Sequence, residues 1–189
     1  MQTTPAAPAR AEEGPDRITP IAGLLFLAGV IVFLSFAPGG YTVLKTFHVF
    51  FAVLWVGGGV LLTFLALGAQ RAKDDEALFS IARHAEWAAN RIFVPSSFAV
   101  LGFGIATAVK GSLDWGDFWI IFGLIGWALS AFIGIALITP RAKQLGAVTP
   151  DRYDDPEVRR RVVEIMTIAR FDSVLLLLIV LDMAAKPFL

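Results

Sequence analysis

The stretch KTFHVFFAVLWVGG, residues 45–58, decides how this chain folds. It belongs to the longest apolar run in the protein, yet Lys45 and His48 interrupt it one helical turn apart. On a helix, Lys45, His48, Ala52 and Trp55 lie on one face. An ionisable group inside a bilayer costs free energy unless it faces the bundle interior or water, so this face is not exposed to lipid. The stretch therefore predicts a membrane-spanning helix with a polar inner face.

The composition indicates an integral membrane protein rather than a soluble one. Of 189 residues, 57% are hydrophobic, and the mean hydropathy is +0.71. The apolar residues form blocks of about 18 to 25, long enough to cross a bilayer. The net charge is zero, so the chain lacks the excess of basic residues that is typical of nucleic-acid-binding proteins. There is no cysteine, which excludes disulfides, thiolate metal sites and iron–sulfur clusters.

The predicted fold is all-α, a polytopic membrane bundle of five transmembrane helices with a four-helix core and an N-terminal span. Residues 1–19 are predicted to be a flexible cytoplasmic tail, and residues 20–189 a single transmembrane domain. A cleaved secretory signal is the alternative for the first span, but Pro38 directly after the candidate cleavage site argues against it. The predicted spans are residues 21–37, 41–69, 92–109, 118–138 and the apolar part of a last helix over residues 156–186.

Local signals set the predicted helix ends. Asp74 or Asp75 is expected to cap a helix that continues to Lys110, interrupted only by Pro95. Thr139-Pro140 is expected to stop the fourth span, with residues 141–154 as a polar connection. Asp155, Pro156 and Glu157 read as the N-cap and first turn of the last helix.

The distribution of basic residues predicts the orientation. Twelve Lys and Arg side chains fall on one predicted side of the membrane and three, Lys45, Lys110 and Lys186, on the other. By the positive-inside rule, the N-terminus is cytoplasmic and the C-terminus outside, in the inner (plasma) membrane of a cell.

Asp182 is expected to pair with Lys45 or His48. All three lie at a similar predicted depth in the outer leaflet, on the order of 10 Å or less from the surface. An aspartate in an apolar run usually has a partner. The pair is either structural, fixing helix register, or functional, with Asp182 orienting His48 for a ligand.

His48 has three interpretations: a buried histidine with a satisfied hydrogen bond, a ligand of haem iron or another metal, or a proton carrier. His84 is predicted to lie about 20 Å away along the helix axis, so the two cannot ligate one haem. His84 is interpreted as an interfacial residue beside Trp87.

Two arginines at predicted membrane depth need acceptors. Arg91 is expected within reach of Glu164, and Arg170 close to Ser96 and Ser97. The acceptors are structural groups of the protein or the carboxylates of a bound ligand.

Several motifs resemble known families. Lys45, His48, Trp55, Gly57 and Gly58 form KxxHxxxxxxWxGG, which resembles the helix shared by HemJ-type protoporphyrinogen oxidases and CopD-type copper-resistance proteins. The segments NRIFVP (90–95) and RFDSVLLLLIVLDMAAKPF (170–188) also resemble HemJ helices. The chain is most similar, over about residues 41–188, to a bacterial family of predicted membrane proteins of unknown function that looks related to both.

The resemblance implies a bundle that binds haem b, with His48 as metal ligand and Trp55, Arg91 and Arg170 as further cofactor-binding residues. In this reading Lys45 and Asp182 are the catalytic residues, which tune or orient His48. The predicted function is a haem-associated membrane protein, in particular a HemJ-like oxidoreductase that acts on a porphyrin or passes electrons to quinone. The alternatives are a non-catalytic subunit or scaffold, in a homo-oligomer or with a membrane-complex partner, and a copper or small-solute permease. The expected surroundings are the lipid bilayer, with no nucleic acid.

Overall fold

The computed structural model describes Val32 and residues 39–186. Residues 40–186 lie in one compact unit. The predicted tail, the predicted boundary at residue 20 and, apart from Val32, the predicted span 21–37 lie outside the described residues.

The described part of the chain is all-helical. Its long helices are α1 (Gly40–Ala72), α2 (Asp75–Lys110), α3 (Phe118–Gly146) and α4 (Pro156–Ala185), with a short 3₁₀ turn at Pro150–Arg152. Within this part, α1, α2 and α3 are long and apolar enough to cross a membrane. Helix α4 has the length, but Arg170, Asp172 and Asp182 fall in its apolar half, and it is not among the three candidate spans.

A π-helical turn interrupts each of the first three helices. The turns are Val53–Gly57 in α1, Ala89–Phe93 in α2 and Ile133–Ile138 in α3. The second and third precede Pro95 and Pro140, which have no N–H to donate to the preceding helical turn. A wider turn accommodates this missing bond, so α3 continues through Pro140 to Gly146. The predicted stop at Thr139-Pro140 was therefore wrong.

The predicted N-caps are confirmed. The Asp74 carboxylate accepts a hydrogen bond from the Ala77 N–H at 2.9 Å and begins α2. The Asp155 carboxylate accepts one from the Glu157 N–H at 2.9 Å and begins α4. Between α1 and α2, Lys73 adopts a left-handed conformation with φ of 56° that allows the tight turn.

The four helices alternate in direction, and each packs against its neighbours in the chain, with α4 returning to α1. Contacts across each pair include Phe103 between Phe47 and Phe51 (α1–α2) and the Trp127 indole N–H donating to the Ser97 carbonyl (α2–α3). Side chains of α4 cover Gly123 and Gly126 of α3, and the Ser173 hydroxyl meets that of Thr63 on α1. Helices α2 and α4 are consequently diagonal to each other over most of their length.

We call the end of the bundle that holds residues 71–76 and 141–161 the basic end, and the opposite one the far end. The buried hydrophobic core lies toward the basic end and draws on all four helices. Its buried members are Ala66, Leu78, Phe79, Ala142, Leu145, Val158, Val162, Ile165 and Met166.

Ion pairs close the basic end. The Arg159 guanidinium binds both carboxylate oxygens of Asp75 at 2.7 Å and also reaches Asp154 at 2.9 Å. Arg141 pairs with Glu164 at 3.1 Å across α3 and α4. The contacts with Asp75 and Asp154 raise the pKa of the Arg159 guanidinium. The Arg159–Asp75 pair also ties the starts of α2 and α4 together.

Acidification is expected to remove the stabilisation that Asp155 provides. The hydrogen bond that the Arg152 guanidinium donates to Asp155, and then that from the Glu157 N–H, lower the pKa of the Asp155 carboxyl. A lowered folded-state pKa contributes stability above the unfolded value and loses it as the pH falls through the folded value. Asp155→Asn should therefore lower the thermal midpoint at about pH 7 and have no such effect near pH 2. Helical circular dichroism of the detergent-purified protein measures this, and an equal deficit at both pH values would contradict it.

Candidate functional site

His48 is held by the backbone of the neighbouring helix. Its Nδ1 lies 2.8 Å from the carbonyl oxygen of Val100 on α2. The half-buried ring lies against Gly104, where a Cβ would approach Cε1 and Nδ1 to 3.0 Å. Because Gly104 has no side chain, α2 comes close enough for this contact.

This hydrogen bond defines the chemistry of the imidazole. A carbonyl oxygen only accepts, so Nδ1 carries the proton, and in the neutral ring Nε2 carries the lone pair. Metal-bound histidines are commonly oriented by the same kind of second bond, from the other ring nitrogen to a carbonyl. His48 therefore has the satisfied hydrogen bond of the first interpretation and also the preorganised Nε2 of a ligand.

The predicted partner of His48 is not beside it. Asp182 is 8% exposed, and both its carboxylate oxygens lack a hydrogen-bond partner in the described structure. On α4 it shares a face with Ile179, which contacts Gly126 of α3, and Lys186, directly after α4, lies over the Trp119 ring of α3. Lys45 is exposed on α1. The predicted pairing of Asp182 with Lys45 or His48 was therefore wrong, because equal depth places residues at one level but does not set which way each helix faces.

The two arginines have other partners than predicted. Arg91 is exposed and lies over the Trp87 ring, 5.4 Å from its centroid, while Glu164 pairs with Arg141. The exposed Arg170 donates to Gln70 Oε1 of α1 at 3.0 Å, not to Ser96 or Ser97. The diagonal placement of α2 and α4 explains both errors.

Arg91 and His84 also lie far from His48 along α2. Arg91 precedes the His48-bound Val100 by nine residues, a rise of about 14 Å, and His84 precedes it by 16, about 24 Å. The exposed His84 ring bonds to the Ser80 carbonyl of its own helix at 2.8 Å. The two histidines thus belong to different regions, as predicted.

A separate cavity of about 150 Å³ lies among all four helices. Trp55 of the motif helix lines it, whereas His48 does not. The π-helical turns of α1, α2 and α3 all contribute to its wall, through residues such as Trp55, Phe93 and Ile135. Such turns are frequent at functional sites because they displace backbone groups from regular pairing.

The cavity contains polar side chains that sequence reasoning did not place at a site. Asp172 and Ser130 line it, and Asp172 Oδ1 is buried without a hydrogen-bond partner in the described structure. Ser173 and Thr63 lie on the same wall. A search for intramembrane carboxylates would have selected Asp172, since it stands at the start of an apolar run. The hydroxyls gave no comparable signal.

Comparison with known proteins identifies one family. The model of a family described as "Predicted integral membrane protein (DUF2269)" matches residues 42–187. The match covers all four described helices except Gly40 and Tyr41 at the start of α1. No curated protein and no solved structure matches the chain.

Proposed function

Because this chain belongs to the DUF2269 family of predicted integral membrane proteins, we propose that it is a haem-associated membrane protein with His48 as an axial ligand of haem b. The observation that carries the proposal is the Nδ1–H bond of His48 to the Val100 carbonyl, which leaves Nε2 for iron. The resemblance of KxxHxxxxxxWxGG to the HemJ helix supports the same residue.

The residues present fit haem better than a bare metal ion. A bare ion takes several protein ligands, and no group of three or more His, Cys, Asp or Glu side chains occurs within the described residues. Haem iron already has the porphyrin nitrogens and needs one imidazole from the chain. This difference favours haem over the copper permease.

The four-helix cavity is not the proposed haem site. At about 150 Å³ it is smaller than pockets for cofactors, which measure roughly 300–1,000 Å³. The site belongs instead to the far half of α1 and α2, where Lys45 stands one turn before His48 as an exposed positive charge. Arg91 and Arg170 are not part of it, since the first is about 14 Å away along α2 and the second binds Gln70.

Bound haem would supply one-electron chemistry, which fits oxidation of a porphyrinogen or electron transfer to quinone. In either reaction Nε2 of His48 would hold the iron, the Val100 carbonyl fixes the imidazole ring, and Lys45 lies one helical turn before His48. A propionate of haem or of a porphyrin substrate is the anion that this ammonium would attract.

The test is an absorption spectrum of the detergent-purified protein, oxidised and dithionite-reduced. We expect a Soret band in the wild type and in His84→Ala, and its loss in His48→Ala. His84 is the matched control because it is the other histidine and lies at the basic end. His48→Asn adds a second variant, since its amide N–H replaces the Nδ1 donor without replacing Nε2.

Two results would contradict the proposal: no Soret band after haem supplementation, or a band that persists in both His48 variants. A colourless protein that purifies with another membrane protein would support the non-catalytic subunit instead.

A further inference from the structure

We propose that the four-helix cavity binds a small monovalent cation, with the Asp172 carboxylate as its counter-charge. This site is distinct from His48 and does not depend on haem. The proposal rests on charge, on free oxygen lone pairs and on the backbone around the cavity.

The one acidic side chain of the cavity has no counter-charge among the described residues that line it. Among the described residues that line it, Asp172 is the only ionisable side chain. Arg170, two residues earlier on α4, is exposed and bound to Gln70. Asp172 is half-buried with an inaccessible Oδ1, and a carboxylate in that setting without a counter-charge is costly, so one positive charge from outside the chain would stabilise it. A single carboxylate matches a monovalent cation, whereas divalent ions are held by several carboxylate and carbonyl oxygens.

Hydroxyl oxygens complete the donor set. Ser130 is 2% exposed and lines the cavity, and the interaction of its hydroxyl with the Asp172 carboxyl places both groups at one site. The Ser173 hydroxyl donates to Thr63 Oγ1 at 3.1 Å, and the Thr63 hydroxyl donates to the Gly59 carbonyl at 3.0 Å. Both protons are thus used within the chain, and the lone pairs of Ser173 Oγ are free to bind a cation.

The backbone that borders the cavity is irregular at three points. Three π-helical turns border the cavity, and in such turns carbonyl groups leave the regular hydrogen-bond pattern. Carbonyls of interrupted helices coordinate monovalent cations near the midplane of membrane proteins. The volume of about 150 Å³ accepts an alkali ion with some water, or methylammonium.

The test is equilibrium binding of ²²Na⁺, ⁸⁶Rb⁺ and ¹⁴C-methylammonium to the detergent-purified full chain by scintillation proximity. These probes distinguish a small alkali ion, a large alkali ion and an organic ammonium. We expect saturable binding of at least one of them, displaced by its unlabelled form and not by choline, whose N-methyl groups keep its charge away from the carboxylate oxygens.

Three variants locate the site. Asp172→Asn keeps the shape and removes the charge, so the affinity should fall by about tenfold or more. Ser130→Ala should weaken binding by a smaller factor. Asp182→Asn is the matched control, a buried and unpartnered carboxylate of the same helix that does not line the cavity, and it should bind as the wild type does.

Circular dichroism and gel filtration check that each variant folds. If Asp172→Asn does not fold, Ser130→Ala and Ser173→Ala decide the question. The proposal is overturned if none of the three probes binds saturably, or if the folded cavity variants bind with wild-type affinity.

Discussion

Phe79→Ala is expected to lower the free energy of unfolding by about 3–5 kcal/mol, the usual cost of emptying a buried phenylalanine site. Phe79 is 1% exposed and stacks on Tyr153, with ring centroids 4.1 Å apart and planes 9° from parallel. Tyr153 precedes α4, so the pair joins the start of α2 to the connection that leads into α4. Its loss removes packing from the hydrophobic core and widens the basic end of the cavity, which Phe79 also lines.

Denaturant or thermal unfolding in one detergent measures this effect. Phe64→Ala is the matched control, because Phe64 is 64% exposed on α1 and its loss should change the stability by no more than about 0.5 kcal/mol. Equal losses for the two variants would show that the basic end is not the packed part of the bundle.

Apolar block length and cap residues were enough to predict most of the helical framework. The last helix, predicted over residues 156–186, is observed at Pro156–Ala185, and Asp74 and Asp155 cap as expected. These features are local, since a carboxylate before a helix binds the N–H groups of the next turn whatever the tertiary structure. The error at Pro140 was also local. A helix that reaches a proline either ends there or continues after a wider π-helical turn, and the sequence pattern favoured an end.

The rotation of each helix about its axis was not predictable in the same way. Lipid-facing and core-facing positions are both apolar in a membrane protein, so hydropathy does not separate them. Gly123 and Gly126 show what decides the face of α4: a Cβ at either position would collide with side chains of Met183 or Ile179. These contacts turn Asp182 toward α3, and depth arguments about Asp182 could not include them.

For the candidate site, sequence reasoning selected His48 but not its anchor. The hydrogen bond of His48 to the Val100 carbonyl and the close approach of Gly104 to the His48 ring depend on how α1 packs against α2. No sequence motif in either helix predicts this packing. Asp172 of α4 and Ser130 of α3 come together only because both helices line the same four-helix cavity.

Asp182→Leu is expected to stabilise the protein by about 1–3 kcal/mol, the opposite of what a counter-charge for Lys45 or His48 would give. The carboxylate is buried and neither oxygen has a partner in the described structure, so the chain bears its desolvation cost without a compensating bond. Leucine has the same branching at Cγ, with two methyl groups in place of the two oxygens, and no polar atom. Asn keeps the shape but retains unpaired polar groups, so the expected order of thermal midpoints is Leu above Asn, and Asn at or above Asp.

The same unfolding assay decides between the two arrangements, with Asp154→Leu as the control because the Asp154 side chain is 97% exposed and pairs with Arg159. That variant should be slightly less stable than the wild type. A loss of stability in both Asp182 variants would mean that the carboxylate has a cationic partner in the folded protein. Lys45→Met should then remove the loss if Lys45 is that partner, because a double-mutant cycle gives a coupling energy only for residues that interact.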